Sequence, residues 1–441
     1  MAKEHAPVRS VWEGAERPVF PALEGDITTD VLIVGGGMAG LLCALLLDRA
    51  GVRYVLVEAD RICGGVTAGT TAKITLQHGF FADRLIRRFG YERAKMYVDA
   101  NAAALAEYCA LCAGMDCGFT AADNIVFTRR DRKLVETEAE ALDKLGVRAA
   151  VIDSLPVPVG CTGAVLVRNQ AQFLTLRFAF EVARGLNIYE HTRVISVSPG
   201  TAETERGRIR AERIVIATHF PMLNGRGMYF MKLYQHRSYM LALENAPPVP
   251  AMIVDESTSG LTFRQCGDRL LLGGSGSRTG KRSSGWDGLR QFAERFAPDA
   301  RETAHWAAQD CMTLDGVPYV GQYSRSTPWL YVTTGFGKWG MTGAMAGAML
   351  LRDQLQGKTN DFAPVFLPSR SMLRPQLAVN LAESAAGILR PTVPRCPHMG
   401  CALKYNRQEH SWDCTCHGSR FAADGTLLDN PAKTRLKTGK R

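Results

Sequence analysis

DVLIVGGGMAGLLCALLLDRAGVRYVLVEAD, residues 30–60, carries the architecture of the chain's first half. Four apolar residues, Val31 to Val34, predict a short buried strand. Three glycines follow, then an apolar helix to Arg49, a turn at Gly51 and a second strand ending at Glu58. This is a complete β-α-β unit. Gly35, Gly37 and Gly40 stand in the G-x-G-x-x-G spacing. The first permits the tight turn, the second lets backbone approach a pyrophosphate, and the third lets helix and strand pack closely, with the anion on the helix N-terminus. Glu58, eighteen residues past Gly40, is placed to accept hydrogen bonds from ribose hydroxyls. The combination specifies a dinucleotide site and leaves NAD and FAD open.

The 441 residues exceed what a single core supports, so more than one domain is expected. A hydrophobic content of 46% against 22% charged residues describes a globular chain. No run approaches the roughly 20 apolar residues of a membrane span, and the N-terminus lacks a signal peptide's apolar core, so a cytoplasmic protein is expected. The net charge of +10 reads as solvated surface, partly a basic tail after Asn430, with no nucleic-acid partner. Cysteines 43, 63, 109, 112, 117, 161, 266 and 311 show no pairing rhythm and read as reduced thiols. EYCALCAGMDC (107–117) reads as a core helix.

After Glu58 comes the Gly/Thr-rich loop GGVTAGTTAKIT, which contains Thr70 and Thr71, and then helical periodicity to about residue 145. A helix is predicted from Thr175 to Arg184, a buried strand in RIVIATHFP (213–221), and an antiparallel sheet of short strands over 226–275. Leu330 to Thr333 predicts a strand, followed by a glycine-rich loop and a helix capped near Thr342.

This order of elements, with VLIVGGGMAG, Glu58, RIVIATHFP, GVPYVGQ (316–322) and TTGFGKWGMTGAMAGAML (333–350), resembles D-amino-acid oxidase and glycine oxidase flavoproteins. The resemblance covers roughly residues 25–365 and implies FAD. It also implies that Thr70 and Thr71 line the flavin site, and that Gly340, Met341 and Thr342 present a helix N-terminus to the pyrimidine edge, where charge develops on reduction. His219 reads as a structural histidine. Lys338 reads as either a residue influencing the flavin or a solvated lysine. Arg264 is a candidate substrate-carboxylate ligand, with a surface arginine as its alternative.

CPHMGCALKYNRQEHSWDCTCHGSRF (396–421) concentrates four cysteines and three histidines. Cys396 and His398 form C-x-H, fifteen residues intervene, and Cys414 and His417 form C-x-x-H. Two thiolates and two imidazoles fit one tetrahedral zinc or a 2Fe-2S cluster with both cysteines on one iron and both histidines on the other. Cys401 and Cys416 are surplus to zinc. The segment resembles high-potential Rieske proteins such as those of cytochrome bc complexes, which implies a disulfide between Cys401 and Cys416 and a hydrogen bond from Ser419 to a cluster sulfide. The more oxidising members carry a tyrosine where this chain has Phe421. The expected potential is therefore lower than theirs, within the Rieske range of about −150 to +300 mV. His410 reads as a surface residue.

The expected fold class is α/β, α+β overall: a Rossmann-like FAD-binding domain with an interleaved antiparallel-sheet substrate domain and a small all-β Rieske module. The domains expected are 1–75, 150–222 and 310–365 for FAD, 76–149 and 223–309 for substrate, 366–390 as a helical linker and 391–441 as a shortened Rieske module. That module lacks its usual leading strands and is expected to pack on the flavin part or on a second subunit. Flavin accepts a hydride as an electron pair, whereas the cluster moves one electron at a time. The resemblance implies an oxidoreductase acting on a C–N bond of an amine or amino acid and exchanging single electrons with a carrier protein or small redox partner. A redox relay without its own substrate, or a reductase fed through the cluster, is the alternative.

Overall fold

Ile27–Val34 is the middle strand of an eight-stranded sheet, flanked in parallel by Arg208–Ile216 and Tyr54–Val57. The computed structural model describes residues 6–223, 225–257, 260–391 and 394–437, so the last four residues of the basic tail lie outside it. Leu330–Thr334 and Ile188–Tyr189 extend the sheet outward, also in parallel. Side chains alternate across a strand. Val31 and Ile33 accordingly join the core beneath helices Met38–Arg49 and Gly340–Leu355, while Leu32 and Val34 pack with Ile214, Ile216 and Val332 on the other face. The buried glycines and alanines of Gly340–Leu355 let these two helices lie against each other.

A nine-stranded sheet forms the second layer, in which Arg301–Thr313, Leu233–Glu244, Arg269–Arg278 and Thr262–Cys266 lie side by side. Its pairings are antiparallel except that of Met252–Asp255 with Thr120–Thr128. That last strand corrects the expectation of continuous helix to residue 145. The helix Tyr91–Cys112 ends before Gly114, which turns at a φ of 87°, and the apolar residues Ile125, Val126 and Phe127 enter the sheet. Residues 226–275 hold one long strand, Leu233–Glu244, rather than only short ones. Gly163–Gln172, expected with the flavin part, pairs into this second sheet. Cys109 and Cys112 lie on the core helix as read from the sequence.

The C-terminal sheet has four short antiparallel strands: Leu403–Asn406, Ser411–Cys414, Arg420–Ala422 and Leu427–Asp429. Eight buried residues make its core, four of them cysteines, which is too little to stand alone. It therefore docks on the larger sheets. Glu409 takes the guanidinium of Arg237 from strand Leu233–Glu244 and that of Arg420 at 2.8 Å. Arg420 also reaches Asp413 at 3.0 Å and Asp429 at 2.9 Å. Of these ion pairs only those of Arg237 cross to the larger sheet, and because a buried charge stripped of its partner costs on the order of 3–5 kcal/mol, they favour the docked arrangement.

Candidate functional site

The glycine triplet opens onto a cavity of about 1150 Å³ that runs between the two large sheets. Gly35 has a φ of 113°, and a Cβ there would sit 2.6 Å from the Ala217 carbonyl oxygen; a Cβ on Gly40 would overlap the Gly35 carbonyl oxygen. Gly37 differs, since its nearest neighbour would be Thr67 Oγ1 at 3.5 Å. Packing thus demands glycine at 35 and 40, while position 37 is bare toward the cavity. Glu58 is held by the N–H groups of Gly36 at 2.7 Å and Asp60 at 3.0 Å, and it lines the cavity. Thr70, Thr71, Gly340 and Met341 line the same space. The helix begins at Gly340, so Thr342 lies within the first turn rather than capping it, and its hydroxyl donates to Thr75 O at 3.1 Å. First-turn N–H groups have no partner inside a helix. A narrow backbone cradle at one end and a helix N-terminus further along suit a dinucleotide bearing an electron-accepting ring.

Arg264 is neither the substrate ligand nor the surface residue expected. It is fully buried and does not line the cavity, and its guanidinium donates to Thr71 O, to Phe173 O at 2.7 Å and to Gln172 Oε1 at 2.9 Å. Three of its five N–H donors are held by Thr71, Gln172 and Phe173, and the burial of the side chain away from the cavity leaves a substrate carboxylate no approach to it. His219 hydrogen-bonds Gln235 Oε1 at 3.0 Å, as a structural histidine should, yet it also lines the cavity.

Three ionisable groups on the cavity wall were not singled out, or only weakly, from the sequence. Burial raises the pKa of Asp310 to about 6, against the pull of Lys338 and Arg237. The protein packed around it lowers the pKa of Lys338, which Asp310 raises in turn, although the side chain itself is open to the cavity. Lys73, within TTAKIT, is buried with its ammonium on Thr262 Oγ1, and desolvation, aided by Arg264, brings it to about 7. Strand alternation was the available signal for part of this. Tyr234, Ser238 and Met240 face the cavity from strand Leu233–Glu244, and Ala308, Asp310 and Met312 do so from Arg301–Thr313.

Gln235, Arg237 and Gln309, between them, face the other way, onto the C-terminal module. Gln235 Nε2 donates to His417 O at 3.2 Å and to Asn430 O at 2.8 Å. Gln309 Nε2 donates to Gln235 Oε1 and to Gly418 O, both at 2.9 Å. Two adjacent strands therefore form one wall, with the cavity on one side and the cluster loops on the other. The module also closes part of the cavity itself, through residues 430–434.

Within the module, the rings of His398 and His417 lie edge to face with centroids 4.9 Å apart. His417 Nδ1 is buried and has no hydrogen-bond partner, which suits a metal ligand. The thiols of Cys396 and Cys414 hydrogen-bond each other, and the Cys396 contact is the largest cause holding Cys414 well below the ordinary thiol pKa. The two imidazoles thus lie together, and the Cys396 and Cys414 thiols lie together beside Cys401 and Cys416, a grouping that fits a cluster with cysteines on one iron and histidines on the other. The tightest sulfur group, all within 4.8 Å, is Cys401, Cys414 and Cys416. Cys401 and Cys416 are free thiols, so the expected disulfide is not found. Ser419 is fully buried, accepts from Ala432 N–H at 3.0 Å and hydrogen-bonds the Cys396 thiol. Phe421 is buried in the same core. A Phe421→Tyr variant is expected to raise the cluster potential by on the order of 60 mV, one hydrogen bond of about 1.4 kcal/mol for one electron. A redox titration followed by electron paramagnetic resonance (EPR) checks it.

Residues 30–354 match the DAO family of FAD dependent oxidoreductases, and residues 359–440 match the Rieske 2Fe-2S domain. A Bacillus subtilis (strain 168) protein described as a Rieske 2Fe-2S iron-sulfur protein, YhfW, is 32% identical over an alignment of 505 residues covering 99% of each chain. Among solved structures, glycine oxidase from Geobacillus kaustophilus superposes with a TM-score of 0.64 at 21% identity, over 78% of this chain and 99% of that one. An L-amino acid deaminase from Proteus vulgaris, with its specific insertion deleted, gives 0.64 at 17% identity, over 82% and 98%. The cradle at Gly35–Gly40 and the paired thiols and imidazoles fit the two groups these families bind. The chain belongs to the DAO family of FAD-dependent oxidoreductases and carries a C-terminal Rieske domain, with FAD and a 2Fe-2S cluster as its cofactors.

Proposed function

We propose that the chain oxidises the C–N bond of an amine or amino acid and passes the electrons singly through the cluster to a carrier. The observation that carries this is the shared wall: Gln235, hydrogen-bonded to His219 at the cavity, also binds the backbone of the ligand His417. The glycine oxidase and L-amino acid deaminase among the structural neighbours support the substrate class.

Gly35, Gly37, Gly40, Glu58, Thr70, Thr71, Gly340, Met341 and Thr342 are the proposed FAD-binding residues, and Cys396, His398, Cys414 and His417 the proposed cluster ligands. Bound FAD supplies a hydride acceptor. The chain's part is to hold the amine against it, exclude water and remove a proton, because an ammonium has no lone pair to assist hydride departure. Asp310 is the proposed proton acceptor, its carboxyl brought to about 6 by burial. The rate of flavin bleaching should accordingly rise with pH through about 6, as the acceptor loses its proton. Asp310→Asn should remove that limb and slow bleaching by about 10²-fold or more. Stopped-flow absorbance across pH checks both.

The substrate class is tested by anaerobic titration of the holoprotein with a panel of amines and amino acids. Bleaching by one member is expected. Bleaching only by reduced ferredoxin or NADH would favour the reductase alternative.

A further inference from the structure

We propose that the outward face of helix Pro375–Leu389 is the docking surface for an acidic one-electron carrier protein. The proposal rests on the electron-port role given above to the cluster. A surface helix ordinarily turns its apolar stripe inward. This one, PQLAVNLAESAAGIL, buries Asn380 and Gly387 instead. Asn380 accepts from Arg278 at 2.8 Å and donates to Met231 O at 3.2 Å, which pins the polar side to the protein. Val379, Leu381, Ile388 and Leu389 are left exposed, Leu389 at 81%, with Leu373 just ahead of the helix at 84%. Apolar side chains left exposed along a helix whose polar side is turned inward point to a partner site.

The helix lies directly on the cysteine side of the cluster loops. A Cβ on Gly387 would come within 2.6 Å of Cys416 Sγ, Gly387 O accepts from Ala402 N–H at 2.9 Å, and Glu383 O accepts from the Cys416 thiol at 3.8 Å. On the opposite side Phe220 packs against both histidine rings, at 6.5 and 6.4 Å, and Phe230 against His417 at 6.2 Å. The histidine side therefore faces the flavin part, and the helix covers Cys416 on the cysteine side.

Charge selects the occupant. Arg390, Lys281 and Arg282 lie close enough to add to the desolvation that lowers the pKa of Lys404, opposed by Glu383, the helix's single acid, which pairs with Lys281 at 2.6 Å. Lys281 is spent on Glu383, but Arg390, Arg282 and Lys404 leave a net positive flank beside the apolar face, which suits an acidic partner, and a second copy would bring the same cations against it. A lipid surface would share the charge preference but has no use for a cluster under the helix. At each docking, one electron passes between the cluster and the carrier, no bond is made or broken, and oxidation of one substrate requires two such transfers.

The test measures binding of the holoprotein to an acidic plant-type ferredoxin and to an acidic flavodoxin, with Leu381→Glu, Leu389→Glu and Arg390→Glu compared to wild type. At least one carrier is expected to bind, more weakly at high salt, and its Kd should rise tenfold or more in each variant, while reduction of ferricyanide and thermal stability are unchanged. The proposal is overturned if neither carrier binds, if the variants bind as wild type does, or if sedimentation or flotation shows the face taken by a second copy or by phosphatidylglycerol vesicles. If wild-type flavin bleaches on substrate but its cluster never takes an electron, the electron-port role has failed instead, and the binding measurement still decides the surface.

Discussion

Cys414→Ser is expected to yield a yellow protein: flavin bands intact, the broad red-brown absorption of the cluster absent, and no reduced-cluster EPR signal on reduction. Cys414 is buried, and its sulfur is the meeting point of the other three cysteines of the loops. Their hydrogen bonds keep it well below the ordinary thiol range, the state in which sulfur binds iron. Serine offers an alkoxide donor only at a far higher pH. The flavin cradle lies on other elements and should load normally. Iron and acid-labile sulfide analysis beside flavin content checks this, and a variant that kept its cluster would show that the ligand set is wrong.

Gly37→Ala and Gly40→Ala should separate binding from folding. At Gly40 an added methyl would meet the Gly35 backbone carbonyl, which has no room to retreat. The cost should be on the order of 4 kcal/mol, with loss of both FAD and stability. At Gly37 the backbone has an ordinary φ of −77° and the nearest atom would be 3.5 Å away. Apoprotein stability should then be unchanged while FAD binding weakens tenfold or more, about 1.4 kcal/mol, because the methyl occupies the space where the pyrophosphate approaches. Thermal denaturation of the apoproteins and flavin titration read the two effects independently. Equal behaviour of the two variants would remove position 37 from the phosphate cradle.

The parts legible in the sequence were those whose chemistry is local. The glycine spacing around Gly35–Gly40 and the C-x-H and C-x-x-H pairs each encode their geometry within a few residues. What escaped depends on long-range partners. Arg264 looked available until the carbonyls of Thr71 and Phe173, far away in sequence, took its donors. Asp310 and Lys338 acquire their character from the protein packed around them, which no spacing announces. The strand Thr120–Thr128 sits in an Ala-rich context whose helical signal is strong, and only pairing on both sides makes it extended. Cys401 and Cys416 do lie together, as their matched positions implied, but as thiols. The short C-terminal module is explained by its docking, since strands Leu233–Glu244 and Arg301–Thr313 supply the base it lacks.

Electron passage between flavin and cluster within one chain is tested most directly by rapid anaerobic mixing of the holoprotein with a substrate that bleaches its flavin, followed by freeze-quench EPR over a tenfold range of protein concentration. The predicted result is a reduced-cluster signal that appears after flavin bleaching at a rate independent of concentration. A cluster that stays oxidised while the flavin is fully bleached, or one reduced only in proportion to protein concentration, would contradict it.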